Sequence, residues 1–151
     1  MGISTNIVKP IVDVLMRYWA FTYQQKILCV LDAENFNFVS VLSDTGFLVD
    51  CVTIEDFSAF TKADVKDYDY ILGDSFSYKL FLKLMEFKKP FAVYTDLFLS
   101  HNMYYLKLLK NNKAEQLILY TDDKYGNSTY CGSYICRNLF KDSLNIAEVK
   151  K

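Results

Sequence analysis

Between Asn6 and Tyr23 the charged positions Lys9, Asp13 and Arg17 fall four residues apart, while Ile7, Val8, Ile11, Val12, Val14, Leu15, Tyr18, Trp19 and Phe21 fill most of the remainder. Polar spacing of four with apolar residues around the rest predicts a helix that must pack on more than one side. Further along, the pattern changes to short contiguous apolar runs, the form of strands buried on both faces. Lys26–Asp32 is the first such run and leads into Ala33-Glu34-Asn35, which opens a helix ended by Gly46. Phe47–Ile54 is the second, followed by Thr53-Ile54-Glu55-Asp56, a capping-box pattern starting a short helix through Phe57 and Phe60. Tyr68–Asp74 is the third and carries a helix behind it, with Leu80, Phe81, Leu84 and Met85 on one face, that Lys88-Lys89-Pro90 breaks. Phe91–Thr95 is the fourth; Ser100 is positioned to cap a helix with Met103, Leu106 and Leu109 inside. Gln116–Thr121 is the fifth, and after the loop Lys124–Thr129 the spacing of Ile135, Leu139, Phe140 and Leu144 predicts a last helix.

Five strands alternating with helices imply a parallel sheet with right-handed crossovers and helices on both faces. The expected fold is therefore α/β, a three-layer doubly wound (flavodoxin-like) five-stranded parallel sheet, with an extra N-terminal helix over 1–25 and the α/β domain over 26–151. Tyr68–Asp74 reads as its central strand, and Asp74 falls where that strand meets solvent, the edge at which open α/β sheets place their ligands.

Composition narrows the function classes. With 52% hydrophobic residues, 5 Gly and 2 Pro in 151 residues, the chain has the makings of a real core. Its 17 basic and 18 acidic side chains leave a net charge of -1, so no global field favours nucleic acid. A membrane-spanning reading of the first helix fails on magnitude, since three charges cost roughly 2.5–3.5 kcal/mol each at mid-bilayer. No membrane, a cytoplasmic location and reduced thiols are the expectation; the four cysteines show no spacing that completes a zinc site.

The carboxyl edge of the expected sheet collects Asp32, Glu34, Asp74, Thr95, Asp96, Asp122 and Asp123. Carboxylates gathered there could hold a hard cation such as Mg²⁺, with Asp32, Glu34 and Asp74 as its ligands, although Asp is equally at home as a turn or cap residue at such junctions. His101 is the only histidine, which leaves a Ser-His-Asp triad or a multi-imidazole metal site without support. Lys124–Ser133 lacks the spacing of a phosphate-binding loop, and the absence of a Gly-rich turn after Asp32 argues against a nicotinamide cofactor.

The acidic residues Asp32 and Glu34 by the first strand, Asp74 closing the third and Thr95 closing the fourth resemble the receiver domain of bacterial response regulators, over roughly Lys26 to Ile146. The resemblance implies Mg²⁺ on the acidic pair, Asp74 at the phosphoacceptor position and Thr95 at the switch position. The family's Lys at the end of the fifth strand is missing, since Tyr120-Thr121-Asp122 stands there and Lys124 is displaced into the loop. Two carboxylates in its place would repel the charge of a phosphorylated Asp. The expectation is thus a degenerate receiver, a signalling module that acts through a protein partner and without standard aspartyl phosphorylation. Val30 to Glu34, Tyr94-Thr95 and Leu119 to Asp123 also resemble motifs of haloacid-dehalogenase-type phosphatases, which would make Asp32 a nucleophile. Finally, Ile11, Leu15, Tyr18 and Trp19 on the first helix present more apolar surface than a monomer tolerates, which predicts a homodimer or a docking site on a partner.

Overall fold

The computed structural model describes residues 17, 25–32, 37–44, 46–95 and 103–148. Of the expected N-terminal helix only Arg17 is among them, helical and exposed, so Ile11, Leu15, Tyr18 and Trp19 lie outside the described residues. The described elements run β1 (Lys26–Leu31), α1 (Asn37–Asp44), β2 (Leu48–Thr53), α2 (Ile54–Phe57), β3 (Tyr70–Gly73), α3 (Tyr78–Phe87), β4 (Phe91–Thr95), α4 (Met103–Asn111), β5 (Glu115–Asp122), β6 (Ser128–Arg137) and β7 (Leu144–Glu148). Local chemistry explains the boundaries. Gly46, at φ 98°, ends α1; Thr53 accepts from the Asp56 N–H at 3.1 Å to start α2; Ser77 accepts from the Leu80 N–H at 3.1 Å to start α3.

The strands form one seven-stranded sheet in the order β2-β1-β3-β4-β6-β5-β7. β2, β1, β3 and β4 are mutually parallel, as expected. Beyond β4 the expectation of a five-stranded, all-parallel flavodoxin-like sheet is overturned: β6 lies against β4 and pairs antiparallel with both β4 and β5, while β7 adds a parallel edge beside β5. The doubly wound order would have placed the fifth strand directly against the fourth. The cause is the segment read as the last helix. Its i, i+4 apolar residues Ile135 and Leu139 mimic a helical face, but 128–137 is dense in β-branched and aromatic residues, and Tyr134 and Cys136 face one side of the sheet while Ile135 faces the other. Gly132, at φ 127°, sits at a bulge where Leu119 opposes Gly132 and Tyr120 opposes Tyr130, leaving Cys131 as the extra residue.

Both sheet faces are covered over β1, β3 and β4, which explains their contiguous apolar runs. On one face Ile27, Cys29, Leu72, Tyr94 and Tyr134 pack with Leu42 of α1; on the other Leu28, Val30, Ile71, Phe91 and Val93 pack with Phe57, Leu80, Phe81 and Leu84. Cys51 is exposed because β2 is an edge strand. Among the described residues no helix is long and apolar enough to cross a membrane.

The connection from β6 to β7 is held by one buried carboxylate. Glu115, at the start of β5, accepts from the backbone N–H groups of Asn138 (2.8 Å), Leu139 (2.8 Å) and Phe140 (2.6 Å). Charge-assisted bonds to three successive amides order the chain just before the edge strand.

Candidate functional site

The chain leaves β1 for β2 on one side and then crosses to β3 on the other, so the carboxyl ends of β1 and β3 flank a switch point, where ligands bind in open α/β sheets. A cavity of about 500 Å³ opens there, lined by Asp32, Thr53, Ile54, Glu55, Ser75 and Ser77. Each comes from the first residues past a strand's end: Asp32 past β1, Thr53 to Glu55 at the junction of β2 and α2, and Ser75 and Ser77 in the turn from β3 to α3.

Asp74 lies beside this crevice, 1% exposed. Its Oδ1 accepts from the Asp32 N–H at 2.8 Å, and its own N–H donates to the Val30 carbonyl at 3.3 Å, so it ties the ends of β1 and β3 together. Its other oxygen, Oδ2, is buried and has no donor. Removal from water, reinforced by repulsion from Asp32 and opposed by the backbone hydrogen bonds it accepts, lifts the Asp74 carboxyl from 3.8 to about 6.

The structure thus brings Asp32 and Asp74 together and sets Thr95, buried, at the end of the neighbouring strand β4, two positions past the Gly73–Val93 pair. Glu34, Asp96 and His101 lie outside the described residues. Among the described residues no group of three or more His, Cys, Asp or Glu side chains is arranged to hold a metal ion. Asp122 and Asp123 stand apart from Asp32 and Asp74, because β4 and β6 intervene between β3 and β5. They serve the β5–β6 hairpin: Asp122 accepts from the Ser128 hydroxyl, and Asp123 accepts from the N–H groups of Tyr125 and Asn127 at 2.8 and 2.9 Å. The phosphatase resemblance, which needs these aspartates beside Asp32, loses its geometry.

Glu55 and the two serines were not singled out by the sequence. Thr53-Ile54-Glu55-Asp56 reads as a cap, and Thr53 does cap α2, but the cap pattern hides the position of Glu55 at the end of the second strand. An acidic residue about 20 residues beyond the end of the first strand is the signal that points to it.

No family model matches the chain, and no curated protein matches its sequence. Among solved structures it is similar to a hemolysin-like protein from Lactococcus lactis, with a TM-score of 0.54 and 14% identity, covering 97% of this chain and 92% of that one. At that identity the likeness shows the fold and nothing of activity. A release factor-specific protein-(glutamine-N5) methyltransferase from Alicyclobacillus acidocaldarius covers 91% of this chain and 98% of its own at 11% identity, but a TM-score of 0.44 carries no weight. Neither is a receiver domain, and the receiver and response-regulator assignment is withdrawn with the five-stranded sheet on which it rested.

Proposed function

We propose that this chain binds a ribonucleoside that carries positive charge and no phosphate, of which S-adenosylmethionine is the representative, in the crevice at the ends of β1, β2 and β3. The observation that supports this is the lining itself. Asp32 and Glu55 face one cavity, Asp74 lies beside it with a buried oxygen that lacks a donor, and no lysine or arginine lines it among the described residues. Phosphates would meet the carboxylates of Asp32 and Glu55 with no lysine or arginine in the described lining to offset them, and would find no Gly-rich turn to cradle them. Glu55 has the place in the chain from which an acidic side chain accepts from the hydroxyls of a ribose. A fixed positive charge on the ligand would be drawn to Asp32, with the buried Asp74 carboxyl behind it adding to the negative field. The assignment is one of recognition by charge and hydrogen bonding, with no chemical step attached. The partner-binding regulatory role expected from the receiver resemblance is not carried forward, because the strand order that suggested it is absent.

A thermal-shift panel tests the reading, since a ligand that binds only the native state raises the melting midpoint. S-adenosylmethionine should raise it, S-adenosylhomocysteine, which lacks the sulfonium charge, should raise it less, and ATP and NAD should leave it unchanged. Equal shifts with ATP, or none with the sulfonium nucleoside, would overturn it.

A further inference from the structure

The crevice does not end at Glu55. A second cavity of about 350 Å³ lies between α2 and α3, and it shares Ile54 and Glu55 with the first, so the two cavities adjoin at that residue pair. Its character is different. Phe57 and Leu80 form part of an apolar floor with Ile54, and Leu82, Lys79 and Glu86 rise along one wall. The helix α3 explains the wall: Leu80, Phe81, Leu84 and Phe87 are its buried face, while Lys79, Leu82, Lys83 and Glu86 recur at the spacing of a second stripe turned towards α2. On that stripe Leu82 is an apolar side chain left 40% exposed among charged neighbours.

From this shared pair we infer that the groove between α2 and α3 is the subsite for the base of the nucleoside, and that the base is an aminopurine. The inference rests on the reading of the crevice as a nucleoside site and extends it. A ribose held at Glu55, with the charged end of the ligand directed to Asp32, turns its base to the other side of Glu55, which is this groove. A planar base would bury the apolar surface of Ile54 and Leu82, where burial is favourable, beside the charged Lys79, Lys83 and Glu86. The polar groups at the rim suit adenine in particular. Lys79 is a donor for ring nitrogens, and the Glu86 carboxylate is an acceptor for the exocyclic amino group, which hypoxanthine and unsubstituted purine do not have. The inferred specificity is therefore set by α3, an element that contributes only its N-cap Ser77 to the crevice.

The test is a calorimetric titration of the full chain with S-adenosylmethionine, repeated on Leu82→Arg, which fills the groove from an exposed position, and on Glu86→Ala. Circular dichroism checks the fold of each variant. Leu82→Arg should weaken binding by about tenfold or more. Glu86→Ala should reduce the preference for adenosine over purine riboside in competition, a readout that general destabilisation does not move. Should Leu82→Arg fail to fold, Lys79→Glu replaces it, and the same loss is expected because an acceptor then stands where the ring nitrogens need a donor. If the wild-type protein binds while both groove variants bind equally well and the amino preference is unchanged, the groove inference is overturned and the crevice reading stands. If the wild-type protein binds none of these nucleosides, both fall together.

Discussion

Replacing Asp74 by Asn should change how stability depends on pH, because the native site holds this carboxyl in the state least suited to neutral water. Asp74 is buried, spends one oxygen on the Asp32 N–H and leaves the other without a donor. Its carboxyl accordingly rises from 3.8 to about 6. The folded state then binds the proton more tightly than the unfolded chain does. The stabilising contribution is complete below the unfolded value and is lost as pH rises through the folded one. Taken whole, a rise of this size corresponds to up to about 3 kcal/mol, and water in the adjoining crevice screens part of it, so about 1–2 kcal/mol is the working figure. Asn keeps an oxygen for the Asp32 N–H but sets an amide NH₂ where Oδ2 lay, at a cost of about 1 kcal/mol that does not vary with pH. Relative to the native protein, Asp74→Asn should thus lose stability at about pH 4.5 and gain on it steadily up to about pH 8, the difference moving by about 1–2 kcal/mol. Urea unfolding of both proteins at four or five pH values measures this directly, and the subtraction cancels every other titrating group. A difference that stays constant over the range, or moves in the opposite direction, would refute the reasoning.

Other outcomes follow from the same structure. Glu115→Gln leaves one acceptor oxygen for amides that now share two and turns a donor towards one of them, so unfolding free energy should fall by about 2–4 kcal/mol in urea titration. Gly132→Ala places a Cβ 2.5 Å from the Tyr94 hydroxyl oxygen at a φ of 127°, whereas at Gly126, φ 82°, an added Cβ meets nothing within 4 Å. The first should cost several kcal/mol and disturb the near-UV signal of the Tyr94–Tyr134 pair, and the second about 1–2 kcal/mol. Equal losses at the two glycines would show that close approach to Tyr94 is not what requires Gly132.

Where the sequence can be read and where it cannot divides at β4. Strands β1, β3 and β4 are covered on both faces, so their runs are contiguous and apolar and the element type follows from the pattern. β6 alternates around a bulge, and its Ile135 and Leu139 coincide with a helical spacing, so local pattern favoured the wrong element. Its insertion between β4 and β5 is a choice of tertiary pairing that no single window reports. The same limit governs the site. Asp32 and Asp74 announce themselves by ending apolar runs, and they do meet. Glu55 and Ser77 sit inside capping patterns, where the capping chemistry accounts for the residues so well that their place in the crevice is not apparent until the strands are aligned. Asp122 and Asp123 end a run in the same way as Asp74, yet the intervening strands separate them from it.

The measurement that bears most directly on the proposed function is a calorimetric titration of S-adenosylmethionine into the native protein and into Glu55→Gln at neutral pH. Glu55 is exposed in the first turn of α2, two residues past β2, so the substitution leaves the core untouched. If Glu55 accepts from the ribose hydroxyls, the native protein binds and the variant binds about tenfold or more weakly, the loss expected for a charge-assisted hydrogen bond. The two proteins should differ much less for a 2′,3′-dideoxy nucleoside, which has no hydroxyl to give. Equal affinity of the two proteins for S-adenosylmethionine, or no binding to the native chain, would contradict the account.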